Sequence, residues 1–194
     1  MPPDSKSEVP QGYMWRECTD IGARFLMPES WFFKEEFAPG TFAYFITREV
    51  IPNAPSQEIR FSGGITFRTT GSESFYSTGL VIHALPNFSQ RRGIKPSKIS
   101  KDSIEQPTEP LISVGRYKFR QDGPLAIYRG FFRDDGMVFL GKEHGPKHYY
   151  IEMVGNDRTG TLYTMIFETP SERWQDDEEI ARRMIDNRVL NKLF

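Results

Sequence analysis

The feature that most constrains the fold is a run of strand-like segments in the C-terminal half of this 194-residue sequence. Aromatic and β-branched residues recur there in four segments, residues 114–120, 125–133, 148–154 and 161–168. Alternation along a strand places successive side chains on opposite faces. Gly123-Pro124 and residues 155–160 provide short turns, and strands joined by short turns pair antiparallel because parallel pairing needs a long crossover. The pattern therefore predicts an antiparallel β-sheet.

The N-terminal half contains further strand candidates, separated by proline and glycine. They are residues 13–27, which read as one or two short strands, residues 41–51 and residues 61–70. Trp31 follows a turn at Pro28 and is a large aromatic anchor. Gly63-Gly64 either forms a bulge or delays the start of the third candidate. Residues 79–85 form either a buried strand or the start of a short helix, because the run is too brief for its period to decide.

Two segments predict helices that would pack on this sheet. Residues 97–106 form a short helix in the polar middle of the chain. Near the C-terminus, Asp176 is a predicted N-cap, with Glu179 as its capping-box partner. The second helix also has two i,i+4 ion pairs and an apolar stripe: Glu178–Arg182, Glu179–Arg183, and Ile180 with Met184 and Ile185. An apolar stripe must pack on something, and the sheet is the obvious partner, so the sequence predicts an α+β fold.

Composition limits the classes of function. Lys and Arg total 25 against 26 Asp and Glu, so the chain lacks the basic excess of a general nucleic-acid binder. Cys18 is the only cysteine, which excludes an intramolecular disulfide and a multi-cysteine zinc site. No apolar stretch reaches the length that spans a bilayer. We expect no nucleic-acid partner and no membrane insertion.

The length of the chain is typical of one domain. Residues 1–10 are polar and proline-rich and predict a flexible N-terminal tail, and residues 11–194 are predicted to form a single α+β domain. The first residues carry neither the apolar core of a signal peptide nor the pattern of a transit peptide. We therefore expect a cytoplasmic protein, or an organellar one if a targeting segment has been removed.

Motifs of common enzyme classes are missing from the sequence. It contains no phosphate-binding glycine loop and no Gly-x-Ser-x-Gly nucleophile elbow. His144 and His148 have the spacing of metal ligands on a helix, but Gly145-Pro146 between them disfavours a helix and predicts a polar loop. His83 lies in an apolar run and is predicted to be partly buried and hydrogen-bonded. We predict no catalytic, cofactor-binding or metal-binding residue, and no cofactor.

Charged side chains suggest one binding hypothesis. Adjacent acids at residues 134–135 and 176–177 do not converge as a catalytic dyad does, and the first pair is typical of a turn. Basic side chains on two neighbouring strands form a patch for an anion or a protein if their registers agree, and otherwise belong to a solvated face with scattered acids. These residues are Arg116, Lys118, Arg120, Arg129 and Arg133.

Four short motifs carry a family resemblance: YYIE at residues 149–152, GTLY at 160–163, RW at 173–174 and PESW at 28–31. They resemble the PsbP family, which shares its fold with the Ran-binding protein Mog of yeast and is similar to the Eag chaperones of secreted effectors. The resemblance implies an antiparallel sheet between helices, an α/β/α sandwich, and a role in binding rather than catalysis. Members in the thylakoid lumen carry targeting peptides, and this sequence shows none.

Three hypotheses of function follow. The first is a non-catalytic accessory domain that binds another protein, whose identity the sequence does not give. The second is a small-ligand-binding protein or enzyme with a pocket between sheet and helix, in which His83, Glu143 and His144 are the first residues to suspect. The third is an Eag-like chaperone for apolar helices, which requires an exposed apolar groove.

Overall fold

The computed structural model describes residues 9–50, 58–68, 78–139 and 141–194. Strands make up most of the regular secondary structure in these residues. The strands are β1 Tyr13–Cys18, β2 Ala23–Pro28, β3 Phe32–Ala38, β4 Thr41–Thr47, β5 Glu58–Phe61, β6 Ile65–Arg68, β7 Gly79–Leu85, β8 Ile112–Ser113, β9 Lys118–Asp122, β10 Leu125–Arg133, β11 Met137–Phe139, β12 Lys142–His144, β13 Lys147–Asn156 and β14 Thr161–Pro170. The helices are α1 Phe88–Arg92, α2 Pro96–Glu105 and α3 Trp174–Asp186.

An antiparallel sheet forms the centre of the fold, as the C-terminal segments predicted. Its strand order within the described residues is β3-β4-β7-β14-β13-β10-β8, and β9 also pairs with β10. Every one of these pairings is antiparallel. The described ranges also contain three hairpins outside this sheet, β1–β2, β5–β6 and β11–β12. The alternative of a helix at residues 79–85 is wrong, because this segment is β7 and lies between β4 and β14.

Both faces of the sheet are covered. All ten residues of β14 are buried, which requires packing on each side because alternate side chains point to opposite faces. Tyr163, Met165 and Phe167 face one core with α3 and the β1–β2 hairpin. Leu162 and Ile166 face the other core with α1, α2 and the β5–β6 hairpin. The structure is therefore the α/β/α sandwich that the resemblance implied, and we refer to its two sides as the α3 face and the α2 face.

Helix α3 packs as predicted but begins earlier. Ala181, Met184 and Ile185 are fully buried against the sheet. The expected N-cap at Asp176 is wrong: the helix begins at Trp174, directly after a 3-10 turn at Ser171–Arg173. Asp177, the residue after the expected N-cap, is buried in the first turn of the helix and accepts a hydrogen bond from Thr169 Oγ1 at 2.6 Å. This bond anchors the first turn of α3 to β14. The predicted i,i+4 ion pairs both form.

Two predicted strands differ from the structure. Phe61 ends β5 instead of opening the third candidate, because the chain turns at Gly63, whose φ of 71° is left-handed. β6 begins at Ile65, which is the delayed start that was one of the two alternatives for Gly63-Gly64. The predicted strand at residues 114–120 is interrupted. Ser113 pairs with Phe132 and Lys118 pairs with Arg129, so the four residues 114–117 lie opposite only two residues of β10, 130 and 131. We call residues 114–117 the bulge. The longer side cannot stay in the ladder, so the strand is broken into β8 and β9.

The sequence did not predict several short secondary-structure elements. Strand β3, helix α1 and the β11–β12 hairpin were not expected, and residues 141–148 contain β12 instead of only a polar loop. Helix α2 agrees with its prediction to within one residue at each end. Residue 51 of the second strand candidate, residues 69–70 of the third and most of the predicted N-terminal tail lie outside the described residues. None of the helices in the described part of the chain is long and apolar enough to cross a bilayer.

Candidate functional site

A cavity of about 460 Å³ lies on the α2 face, beneath the β5–β6 hairpin and beside α1. Its walls come from β3, β4, β6, β7 and α1 and include the aromatic side chains of Phe67 and Phe88. The hairpin folds over the sheet because Phe61 and Phe67 bury their rings in the core of the α2 face. The cavity therefore lies between the sheet and its covering layer, where the second hypothesis placed a pocket. We call it the His83 cavity.

His83 lies on β7 and lines this cavity, and its side chain is 4% exposed. The imidazole packs against the Phe67 ring with the two centroids 4.7 Å apart. Burial, together with the positive charge of nearby Arg68, lowers the pKa of His83 to about 3, so the ring is neutral at physiological pH. Among the described residues Nδ1 has no hydrogen-bond partner. The prediction of a partly buried histidine is therefore wrong, because the side chain is almost fully buried, and Nδ1 does not make the predicted hydrogen bond within the described residues.

Charged side chains surround the mouth of the cavity. Arg68 and Glu36 form an ion pair. The Nη2 atom of Arg91 donates to the carbonyl oxygens of Gly40 and Pro86, at 2.8 and 2.9 Å. Arg92 is exposed and has no ion pair within the described residues. The cavity thus combines aromatic walls, a buried neutral imidazole and a partly basic rim.

A second surface lies at the opposite end of the sheet, where β8 and β9 border β10. Four apolar side chains there have an exposed fraction between 42% and 53%: Ile112, Val114, Tyr117 and Phe119. Phe119 packs on the Tyr128 ring at 4.8 Å, and a hydrogen bond to the Glu105 carboxylate raises the pKa of Tyr117. These contacts hold the aromatic side chains in place at the border. We call these four residues, with the exposed cations Arg116, Lys118 and Arg120, the edge surface.

The predicted basic patch forms only in part. Lys118 lies opposite Arg129 in the ladder, but the Arg129 guanidinium is bound by Glu152 at 2.6 Å and by Asp186 at 2.8 Å. The Nη2 atom of Arg133 lies 3.5 Å from Oδ1 of Asp135, so this cation also has an acidic partner. Arg116, Lys118 and Arg120 are exposed and have no ion pair within the described part of the chain. The uncompensated cations therefore belong to the strand β9 and the bulge before it.

The other suspected residues lie apart from the His83 cavity. Glu143 and His144 are in β12, whose backbone pairs with β11. His148 is the second residue of β13, shares a hydrogen bond of 2.8 Å between Nδ1 and Ser171 Oγ, and stacks on the Trp174 ring. The described residues contain no group of three histidine, cysteine, aspartate or glutamate side chains placed to bind a metal ion. The structure does not bring the three suspected residues together.

The adjacent acids have different environments, as expected of residues that do not form a dyad. Asp134 is buried and accepts hydrogen bonds from Gly136 N at 2.9 Å and Tyr149 Oη at 2.5 Å. The first of these is the turn contact that the sequence predicted. Asp135 is exposed. The Tyr149 contact, together with a hydrogen bond of 3.1 Å from Lys147 N, fastens the β10–β11 connection to β13, so we assign this acid to the fold.

Comparisons with known proteins identify the fold but no family by sequence. No family profile and no curated protein match the chain. The solution structure of cyanobacterial PsbP (CyanoP) from Synechocystis aligns over 98% of this chain and 99% of that chain, with a TM-score of 0.51 and 11% identity. A crystal structure from Bacteroides thetaiotaomicron aligns over 87% of this chain and 45% of that chain, with a TM-score of 0.38 and 13% identity. The chain has a PsbP-like fold, which confirms the resemblance at the level of architecture.

Sequence reasoning identified single residues of both surfaces but not their surroundings. His83 was suspected, while the walls of its cavity come partly from β3, α1 and the turn at Gly63-Gly64. Of the predicted basic residues, only those outside β10 remain available for a partner. The segment from β8 to β9 has two more residues than the part of β10 that it faces. The hydrophobic pattern does not reveal this difference, so the sequence did not predict the exposed bulge.

Proposed function

We propose that this protein is a non-catalytic accessory domain that binds another protein through the edge surface. One observation supports this most directly. Phe119 is 53% exposed on β9, a strand that pairs with β10 and with no other strand in the described part of the chain. An open edge offers unpaired backbone groups to an incoming strand. The PsbP-like fold is compatible with this role.

The composition of the edge surface indicates the kind of partner. Along β9 and the preceding bulge, aromatic and cationic residues alternate: Arg116, Tyr117, Lys118, Phe119 and Arg120. Cations without a described counter-ion favour an acidic partner, and exposed aromatic rings favour apolar contacts. Alternation with period two suits an extended segment, whereas an apolar helix would need a continuous apolar groove. We therefore place an acidic, extended segment of another protein at this edge, ahead of the helix of an Eag-like mechanism.

A capture experiment tests the proposal. Tagged wild-type protein is incubated with a native extract at mild salt, beside a Tyr117→Ser/Phe119→Ser variant. Phe32→Ser is the matched control, because Phe32 is a 44% exposed aromatic residue at the opposite edge of the sheet. We expect a stoichiometric partner with wild type and control and its loss from the edge variant. Equal recovery by all three proteins, or no partner at all, would contradict the proposal.

Charge reversal tests the acidic character of the partner. Lys118 and Arg120 are exposed, so Lys118→Glu/Arg120→Glu should fold normally, as measured by circular dichroism. If the partner segment is acidic, this variant should bind it more weakly, and affinity for wild type should fall as salt rises. Undiminished binding by the charge-reversed protein would exclude an acidic segment.

A further inference from the structure

The His83 cavity has the size of a ligand site. Its volume of about 460 Å³ falls within the range of roughly 300–1,000 Å³ that small-molecule pockets occupy. A packing defect in a domain of this size is far smaller, since interiors contain few voids larger than a water molecule. The cavity is therefore large enough for a molecule with a single or fused ring.

The walls of the cavity suit an aromatic ring. Phe67 and Phe88 are both buried side chains that line it, and the His83 imidazole adds a third ring in contact with Phe67. Ile65 and Leu85 contribute apolar surface. Aromatic side chains pack best on other rings in offset or edge-to-face arrangements. A flat, unsaturated ligand would match these rings, and its polar groups would face the polar part of the lining.

One polar atom of the cavity lacks a hydrogen-bond partner in the part of the chain that the structure describes. His83 Nδ1 is buried and makes no hydrogen bond within the described residues, a condition that native structures avoid because a buried polar group without a hydrogen bond is destabilising. A neutral imidazole offers one N–H donor and one acceptor. A ligand oxygen or nitrogen that reaches this ring would supply the missing bond.

The rim of the cavity favours an anion. Three cations and two acids line it: Arg68, Arg91 and Arg92 against Glu36 and Glu58. Arg68 is already paired with Glu36, and the hydrogen bonds from Arg91 Nη2 go to the uncharged carbonyl groups of Gly40 and Pro86. Arg92 is exposed and free of ion pairs in the described part of the chain. Its guanidinium is thus available for a carboxylate, which it can bind with two parallel hydrogen bonds.

We propose that the His83 cavity binds a small aromatic carboxylate, with its ring among Phe67, Phe88 and His83 and its acid group at Arg92. This site is independent of the edge surface. β7 and β9 are separated by β14, β13 and β10, a distance of roughly 19 Å at the usual spacing between strands. A ligand in the cavity and a protein on the edge can therefore be bound together.

A matched set of small molecules tests the site. Phenylacetate, its neutral analogue phenylacetamide and the cation phenethylamine are titrated into the full-length protein, with binding followed by calorimetry and by two-dimensional NMR. We expect saturable binding of phenylacetate, weaker binding of the amide, and none of the amine. Shifts should centre on His83, Phe67 and Phe88, and the His83 ring nitrogen resonance should move on binding.

Two variants and a control assign the contacts. Arg92→Gln alters an exposed side chain and should weaken phenylacetate about five- to tenfold while leaving the amide unchanged. Arg116→Gln, an exposed arginine at the other end of the sheet, should change neither. His83→Phe keeps a ring in the wall but removes the polar nitrogen, and should weaken both acid and amide. Absence of saturable binding, equal affinity for acid and amide, or shifts at the edge surface would each overturn the proposal.

Discussion

The Oε1 atom of Glu152 lies 2.5 Å from Nη2 of Arg188, inside the core of the α3 face. Oε2 of the same carboxylate lies 2.6 Å from Arg129 Nη2. Glu152 is fully buried, so one carboxylate neutralises two guanidinium groups that belong to β10 and to the segment after α3. This contact ties the C-terminal segment to the sheet.

The first prediction concerns this shared carboxylate. Glu152→Gln leaves Arg129 and Arg188 without their common counter-charge, and we expect the free energy of unfolding to fall by about 3–5 kcal/mol. Urea unfolding followed by circular dichroism measures the loss. Glu179→Gln is the control, since Glu179 pairs with Arg183 on the exposed side of α3 and should change stability by less than about 0.5 kcal/mol. Similar effects of both substitutions would show that the buried contact does not stabilise the fold.

The second prediction is a pH dependence caused by His83. Its folded pKa of about 3 lies below the value of roughly 6.5 for an exposed histidine. The unfolded chain therefore takes up the proton first as pH falls, and stability that is fully present above pH 6.5 is lost below it. Between pH 7 and pH 5 we expect a loss of about 2 kcal/mol.

Unfolding of His83→Phe across the same pH range checks this assignment. Burial and the charge of Arg133 also lower the pKa of His148, and the contribution of His148 should remain in the variant. We expect the dependence on pH to become clearly shallower when His83 is replaced. An unchanged slope would mean that His83 is accessible to protons in the folded protein.

The third prediction concerns the approach of α2 to the sheet. A Cβ atom at Gly155 would fall on the backbone of Pro96 and Ser97, which the Ser97 contacts with Asp157 hold in place at 2.9 and 2.6 Å. Gly155→Ala should therefore force α2 away from β13 and cost about 1–3 kcal/mol or more. Thermal unfolding measures the effect. Gly145→Ala, with open space around the added carbon, should unfold at the temperature of the wild type.

The fourth prediction uses the only cysteine. Cys18 is fully buried, and burial raises the pKa of its thiol to about 12. Thiolates are the reactive form, so the native protein should not react with Ellman's reagent at neutral pH. Protein unfolded in guanidinium should release one equivalent of the chromophore. Rapid reaction of the native protein would show that the β1–β2 hairpin opens readily.

Residues with a strong local pattern could be assigned from the sequence. Strand β10 has the predicted bounds, residues 125–133, because a segment rich in apolar and aromatic residues lies between a glycine-proline turn and two aspartates. The stripe containing Met184 and Ile185 predicted that α3 packs on the sheet, which it does. The bounds of β10 and the packing face of α3 both depend on residues close together in the chain, and a periodic sequence pattern indicates such local features.

Register and layer contacts were decided only by the tertiary structure. The sequence pattern predicted Arg129 as one of the cations of a basic patch. In the structure its charge is paired with Glu152 on the neighbouring strand β13 and with Asp186 on α3. Likewise, the apolar neighbours of His83 in the sequence do not indicate whether a cavity lies next to its side chain. The cavity forms because the β5–β6 hairpin and α1 cover this end of the sheet. The sequence by itself determined the antiparallel sheet and its closing helix, since those follow from local spacing. Which polar groups are paired, buried or left open depends on contacts between distant segments, which local spacing does not encode.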